Sequence, residues 1–374
     1  MSTASQTMVD AAGNIPAPMT DFERKLAVKT TNGSMARELA ALEEKQSLPL
    51  PLKVELSLAL IRDWYEAWDG NVSVSYSGGK DSEILLRLVR SRYPDVPAVF
   101  CNTGLEYPEI VRQVMNTENH VILKPEMSFR RVITEYGWPI ASKKIARGVH
   151  IVRNQTGNNQ NITRLYLEGI NRFGRPVSGF KIPAQWRFLI DAPFPVSDKC
   201  CEVMKKKPMA KYERETGRRP FVGTMASDSK QRQRTYLLQG GCNAYDMKRP
   251  RSAPLSFWTH QDILHYAFEN NIRLASVYGD ICRIGGVGSY YTTGVRNTGC
   301  VFCCFGLHMD EGRWNRFEIL AETHPRLHYY VMEKLGLGRV LHYCREAAPG
   351  RLAQAFQWER QYPWATEQHC LDFE

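Results

Sequence analysis

Apolar and polar positions along the middle of the chain follow two alternating periods. Short apolar runs at residues 72–76, 97–103, 120–125 and 220–225 each have the length of one buried strand. Amphipathic stretches follow the first three runs, and Pro108 suits the first helical position of the second stretch. Strands that alternate with helices predict an α/β fold, a doubly wound and mostly parallel sheet with ligands at the carboxyl ends of its strands.

A helix is predicted before the first strand, over residues 51–68. Leu52, Leu56, Leu60 and Trp64 fall near one face of this helix. Residues 1–50 are polar, and we expect a partly disordered or helical N-terminal extension. Farther along, Thr259 followed by Asp262 predicts the capped start of a helix.

The first strand runs into a glycine-rich turn that opens a helix. Glycines let a backbone approach a phosphate closely, a helix N-terminus attracts the anion, and a lysine adds positive charge. The spacing differs from that of a Walker loop. The alternative is a tight turn that binds no ligand. The candidate nucleotide-binding residues are consecutive: Ser75, Tyr76, Ser77, Gly78, Gly79, Lys80, Asp81 and Ser82.

Two further segments are expected near the same edge of the sheet. Asn102, Thr103 and Gly104 end the second strand, which makes them candidates for the nucleotide site or a plain strand-end turn. Lys143 follows a short strand-like run at 138–142 and is a candidate for reaching the nucleotide's phosphates.

Composition adds an expected partner. The 374 residues carry a formal net charge of +10, which favours an anionic partner or serves solubility alone. Basic residues and aromatic rings interleave at about 142–191, a combination that suits RNA or DNA; the alternative is a solvated insertion whose rings pack on the core. The sequence shows neither a membrane span nor a signal peptide, so we expect a soluble, cytoplasmic protein.

Ten cysteines in such a protein do not predict a disulfide framework. Two groups stand out, Cys200-Cys201 and Cys300 with Cys303, about a hundred residues apart. Four thiolates suit either structural zinc or an iron–sulfur cluster, and the spacing alone does not separate the two. Cys304 and Cys282 are alternative ligands.

The hexapeptide at 77–82, SGGKDS, resembles the pyrophosphate loop (PP-loop) of the ATP pyrophosphatase and PAPS reductase superfamily. This resemblance implies an adenine nucleotide alpha-hydrolase-like, Rossmann-like domain that binds ATP with Mg²⁺, with Lys80 and Asp81 as catalytic residues. The segment at 223–232 resembles a family motif and adds Gly223, Thr224 and Arg232 to the nucleotide site. It departs from that motif where an arginine usually stands near Thr224, which puts some phosphate recognition in doubt.

The cysteine segments resemble those of assimilatory adenylyl-sulfate reductases. Tandem cysteines followed by basic residues and Pro208 look like one family segment, and the sequence GCVFC at 299–303 looks like another. The resemblance implies a [4Fe–4S] cluster in a cysteine-rich subdomain, with Cys200, Cys201, Cys300 and Cys303 as ligands. The chain thus resembles PAPS/APS reductase-like (CysH-like) proteins, including those of phages, plasmids and type IV CRISPR loci.

Three functions follow from the resemblance. The complete loop points to an AMP-forming, pyrophosphate-releasing enzyme of sulfur transfer or nucleic-acid modification, supplied by a sulfur donor. The second is a PAPS or APS reductase that uses Cys370 or Cys304 as nucleophile, with thioredoxin as partner; the family's C-terminal nucleophile motif is missing. The third is a nucleotide-binding accessory protein without turnover.

The expected domains are a nucleotide-binding domain at 51–270, a cluster-binding and helical region at 271–340, and a C-terminal tail at 341–374.

Overall fold

A computed structural model of the chain describes residues 34–285, 288–310 and 315–358. The chain forms two compact units, each assembled from separate segments. The first unit takes its residues from Met1–Asn102, Glu106–Lys124 and Pro208–Thr298; the second takes them from Thr103–Leu105, Pro125–Lys207 and Gly299–Glu374. The basic stretch at 142–191 therefore belongs to the second unit, and residues 271–298 belong to the first.

The strands are short. In chain order they are β1 Val72–Ser75, β2 Ala98–Cys101, β3 His120–Leu123, β4 Ile140–Ala141, β5 Arg219–Val222, β6 Asn243–Ala244, β7 Arg251–Ser252, β8 Ile281–Ile284, β9 Ser289–Thr292 and β10 Cys304–Phe305. Six of them form the main sheet of the first unit, in the order β3-β2-β1-β5-β7-β6. Only β6 runs antiparallel to its neighbour within this sheet. This topology confirms the expected doubly wound, mostly parallel α/β fold.

The α-helices connect and flank these strands. They are α1 Ser34–Ser47, α2 Leu50–Ala67, α3 Lys80–Arg90, α4 Pro108–Met115, α5 Phe129–Glu135, α6 Lys143–Arg153, α7 Gln160–Glu168, α8 Lys207–Thr216, α9 Lys230–Gln239, α10 His260–Glu269, α11 Arg316–Thr323, α12 Pro325–Tyr329 and α13 Leu337–Ala347. Pro108 occupies the start of α4, as the sequence predicts. The strand order reverses beside β1, so the turn from β1 into α3 lies at the switch point of the sheet.

Helix α2 buries only part of the face that its apolar residues marked: Trp64 is fully buried and Leu60 packs against the core. Leu52 and Leu56 are exposed, whereas Lys53 and Ser57 are buried together with Ile61. The reason is polar pairing: the Lys53 ammonium lies 2.6 Å from the Asp262 carboxylate. Long-range partners of this kind cannot be read from the periodicity of one helix.

The start of α10 confirms the predicted cap. The Thr259 hydroxyl accepts a hydrogen bond from the Asp262 amide at 3.3 Å, and the Asp262 carboxylate accepts one from the Thr259 amide at 2.7 Å. The same carboxylate holds Lys53 of α2. The cap therefore joins two helices of the first unit.

The second unit has its own small sheet and core. Strand β4, which the sequence predicted at 138–142, pairs in parallel with β10 and not with the main sheet. Trp186 is buried, and its ring meets those of His308 and Phe356 at centroid distances of 4.8 and 6.2 Å. Aromatic packing therefore joins the middle of the chain to its C-terminal third within this unit.

Candidate functional site

The turn between β1 and α3 requires glycine. Gly78 has φ +70°, a conformation that residues with a Cβ rarely adopt. A Cβ at this position would also lie 2.8 Å from a methyl carbon of Ile110. The backbone of the turn therefore packs directly against α4, and α3 begins two residues later at Lys80.

The backbone amides of this turn donate to hydroxyl groups. Ser77 N–H donates to Ser82 Oγ at 3.1 Å, Gly79 N–H to Ser77 Oγ at 3.3 Å, and Lys80 N–H to the Tyr278 hydroxyl at 3.1 Å. Hydroxyl oxygens are hydrogen-bond acceptors, as phosphate oxygens are. The turn therefore gathers amide donors at the N-terminus of α3, where an anion is also favoured by the helix dipole.

Lys80 and Asp81 form the charged part of this site. The Lys80 side chain is 3% exposed, its Nζ donates to Asn297 Oδ1 at 2.8 Å, and it lies 3.5 Å from Asp81 Oδ1. Burial lowers the pKa of Lys80 and raises that of Asp81, while each charge partly offsets the effect on the other. Asp81 Oδ1 is buried and accepts no hydrogen bond from the described residues. Such an oxygen is a suitable ligand for a hard cation.

Ser75 and Tyr76, two further candidates, have structural partners. Ser75 ends β1, in register with Val99 and Val222. Tyr76 is buried, and its hydroxyl donates to Glu83 Oε2 at 2.5 Å. Burial and then the Glu83 carboxylate raise the pKa of Tyr76. The Tyr76 hydroxyl thus ties the turn to α3.

The end of β5 packs against the start of α3. A Cβ at Gly223 would lie 3.1 Å from the Asp81 carbonyl oxygen, so glycine permits this close approach. Thr224 follows it in the strand-to-helix connection. Arg232 forms an ion pair with Asp228, and the Asp228 carboxylate also accepts from Met225 N–H at 3.1 Å.

Four residues of this site were not among the candidates that the sequence indicated. Tyr278 and Asn297 contact Lys80, and the Tyr278 hydroxyl lies 2.6 Å from Thr298 Oγ1. The fourth is His260, whose pKa falls to about 4 through burial and through the charges of Lys80 and Arg296. His260 directly follows the capping Thr259, so its place in a predicted helix start was the available clue.

The candidates at the end of β2 and at the start of α6 are divided between the units. Asn102 belongs to the first unit, and its N–H donates to the Leu123 carbonyl at 2.9 Å. Thr103 and Gly104 belong to the second unit, where Thr103 Oγ1 accepts from Leu105 N–H at 3.2 Å. Lys143 also lies in the second unit, at the start of α6.

The two cysteine groups meet in the second unit. A cavity of about 20 Å³ is lined by the four predicted ligands and by mainly apolar side chains; its lining comprises Leu105, Phe129, Pro139, Cys200, Cys201, Met204, Lys205, Cys300, Phe302 and Cys303. Groups about a hundred residues apart in the sequence therefore share one cavity.

The pKa differs among these thiols. A hydrogen bond from Cys200 to Cys201 raises the pKa of Cys200 and lowers that of Cys201. The positive charges of Lys143, Lys205 and Lys206 lower the pKa of Cys201 further, against the effect of burial. A thiolate is the form of cysteine that binds soft metal ions.

The donor set fits an iron–sulfur cluster, because four thiols meet in an apolar cavity. In residues 34–285, 288–310 and 315–358, no group of three or more His, Cys, Asp or Glu is arranged to hold a metal ion.

The remaining cysteine candidates have different environments. Cys304 is fully buried in β10, and burial raises its pKa well above the ordinary value. An effective nucleophile needs access and a lowered pKa, so Cys304 does not fit that role. Cys282 lies in β8 of the first unit, and Cys370 lies outside the described residues.

A turn at the switch point of a mostly parallel sheet, with helices around the sheet, places the first unit among the doubly wound α/β proteins, in which ligands bind at this position. The family model of the phosphoadenosine phosphosulfate reductase domain matches residues 71–155 and 168–303, more than half of the chain. The chain belongs to this family, which confirms the resemblance seen in the sequence.

Individual relatives add little beyond the family. The chain is 34% identical over 88 residues to the uncharacterised protein MJ0066 of Methanocaldococcus jannaschii, a match that covers 22% of this chain and 18% of that relative. It is 12% identical to a phosphoadenylyl-sulfate (PAPS) reductase from Candida auris, solved as a phosphate complex; the match has a TM-score of 0.34 and covers 70% of this chain and 91% of the other. In the described part of the chain, no helix is long and apolar enough to cross a membrane.

Proposed function

We propose that the protein binds ATP at the turn between β1 and α3 and splits it into AMP and pyrophosphate in a reaction of sulfur transfer, with nucleic acid as the acceptor. The observation that carries this proposal is the set of amide donors around Ser77, Gly79 and Lys80, with a buried ammonium beside them. The amides and the ammonium would bind the phosphates and stabilise the negative charge that develops on the pyrophosphate leaving group.

Asp81 would help hold Mg²⁺ through its buried Oδ1, which lies 3.5 Å from the Lys80 ammonium and has no closer hydrogen-bond donor among the described residues. The ion would neutralise phosphate charge when it is bound with the nucleotide. Lys80 would also donate to a phosphate oxygen, since its ammonium has three N–H donors and binds an anionic oxygen more strongly than the Asn297 amide oxygen. His260, neutral near pH 7, would add no charge to the site.

Cys200, Cys201, Cys300 and Cys303 would hold a [4Fe–4S] cluster. Such a cluster supplies electrons or sulfur when it is bound. Lys143 and Lys205 would favour the thiolate form of Cys201.

The test compares ATP with PAPS as substrate for anaerobically purified protein. We expect pyrophosphate and AMP from ATP in the presence of RNA or DNA and a sulfur donor. Lys80→Ala should lower ATP affinity at least about tenfold, because it removes a buried cation from the phosphate site. Lys45→Ala, at an exposed end of α1, is the matched control.

A second function, reduction of PAPS or APS, is favoured by the family match. The same assay separates the two: sulfite from PAPS in the presence of thioredoxin, with no pyrophosphate from ATP, would contradict the proposed function. Tight ATP binding with neither product would indicate an accessory protein without turnover.

A further inference from the structure

Most of the formal net positive charge of the chain comes from one stretch of the second unit. Residues 142–191 contain nine Lys and Arg side chains and two acidic ones, whereas the whole chain has a formal net charge of +10. A concentration of charge in one stretch indicates an anionic partner more strongly than net charge does, because solubility needs no such clustering.

Only some of these cations are neutralised by acidic partners. Arg147 pairs with Asp198 at 2.7 Å, and Arg164 pairs with Glu168 at 2.9 Å. Two others lie against exposed aromatic rings instead. The Arg172 guanidinium lies 4.7 Å from the centroid of Phe173, and the Lys144 ammonium lies 5.4 Å from that of Phe180.

The two rings are presented to solvent. Phe173 is 52% exposed and Phe180 is 43% exposed. Packing in the core therefore does not account for these two aromatic rings. Their cations are exposed as well. A cation beside an exposed ring is the pairing that single-stranded nucleic acid uses, because its bases stack on the ring and its phosphates meet the cation.

Hydrogen bonds hold the segment that carries these rings. Asn171 Oδ1 accepts from the amides of Phe173 and Arg175, both at 3.0 Å, and Asn171 N–H donates to the Arg175 carbonyl at 2.9 Å. Val177 N–H donates to the Gly169 carbonyl at 2.7 Å. We call this segment, residues 169–182, the basic aromatic hairpin. Its internal bonds reduce the entropy that would be lost when a ligand orders it.

We propose that the basic aromatic hairpin, together with Lys144 of α6, binds single-stranded nucleic acid. Bases stack on Phe173 and Phe180, and the phosphates contact Arg172 and Lys144. Bases in a duplex are already stacked on their neighbours, so an exposed ring favours a single strand. This inference deepens the proposed function, because it names the surface that binds the nucleic-acid acceptor. It rests on the proposed function only for the statement that this nucleic acid accepts the sulfur.

The test measures binding of fluorescent oligonucleotides by anisotropy. The probes are a single-stranded oligothymidylate and an oligouridylate of 12 nucleotides, within the range of about 4–16 that one small domain covers. A DNA duplex of the same length and an abasic strand of the same charge complete the set. We expect both single strands to bind at least about tenfold more tightly than the abasic strand, because stacking adds affinity that charge alone does not give.

Variants separate stacking from charge. Phe173→Ala should weaken single-strand binding about tenfold and leave abasic binding unchanged, and Phe173→Tyr should retain it. Arg172→Gln should lower the slope of log K against log salt by about 0.7 for all probes. Arg130→Gln, at an exposed position of α5 in the same unit, is the charge-matched control. The melting temperature should stay constant, since Phe173 is exposed.

Equal affinity for abasic and normal strands, or full binding by Phe173→Ala, would overturn the inference. Preference for the duplex would overturn it as well. Nucleotide turnover is scored separately by pyrophosphate release. Binding of oligonucleotides without pyrophosphate release would contradict the proposed function but support the surface, and the reverse result would contradict the surface alone.

Discussion

The Tyr278 hydroxyl accepts the backbone hydrogen bond of Lys80 at 3.1 Å, across 198 residues of sequence. It also lies 2.6 Å from Thr298 Oγ1. The first turn of α3 is thus completed by a side chain from a distant segment of the same unit. A phosphate that binds this turn must compete with Tyr278 for the same amide.

Replacement of Tyr278 by phenylalanine should therefore destabilise the nucleotide-free protein. The change leaves the buried Lys80 amide without its acceptor, which costs about 1–3 kcal/mol of unfolding free energy. ATP should recover part of this loss, because a phosphate oxygen would accept the same hydrogen bond. Urea unfolding with and without ATP measures both effects. Tyr291→Phe, at an exposed position of β9, is the control; an equal loss in both variants would contradict the assigned role.

Replacement of Gly223 by alanine should distort the turn from the side of β5. The added methyl group would lie 3.1 Å from the Asp81 carbonyl oxygen, and such crowding typically costs about 1–3 kcal/mol. We expect a lower urea midpoint and weaker ATP binding by calorimetry. A Cβ at Gly285 would meet no atom of the described residues within 4 Å, so Gly285→Ala should change neither quantity. Unchanged ATP affinity in Gly223→Ala would show that the close approach does not shape the site.

The cysteine cavity predicts a selective loss of metal. Cys300→Ser and Cys303→Ser should abolish the visible absorbance of an iron–sulfur cluster and lower bound iron and acid-labile sulfide in anaerobically purified protein. Cys344→Ser removes a buried thiol of α13 that lies outside the cavity lining and should retain the cluster. Colourless wild-type protein that contains zinc would contradict the cluster assignment.

His260 predicts a specific loss of stability in acid. Its pKa is about 4 in the folded chain and about 6.5 when unfolded, so the unfolded state binds the proton more readily. The contribution of His260 is therefore fully present above about pH 6.5 and is lost as the pH falls toward 4. Urea midpoints across this range should fall less steeply in His260→Gln than in the wild type. His342→Gln, at an exposed position of α13, should keep the wild-type slope.

The local features of the first unit could be predicted from the sequence. Strand and helix periodicity predicted β1, β2 and β3 in their order, together with the helices that follow them. Thr259 and Asp262 predicted the start of α10. Such features depend on neighbours within a few residues, and for that reason the sequence pattern contains them. The burial of Lys53 in α2 had no counterpart in the sequence pattern, because Lys53 pairs with a residue 209 positions away.

For the candidate site, the sequence by itself determined the glycine-rich turn, the lysine and aspartate that follow it, and the identity of the two cysteine groups. Only the tertiary structure decided that Tyr278 and Asn297 contact Lys80, that Gly223 lies against Asp81, and that the cysteine groups share a cavity. The physical reason is distance along the chain. Backbone conformation in a turn is set by its own residues, whereas partners for buried charges and thiols are brought together only when separate segments pack.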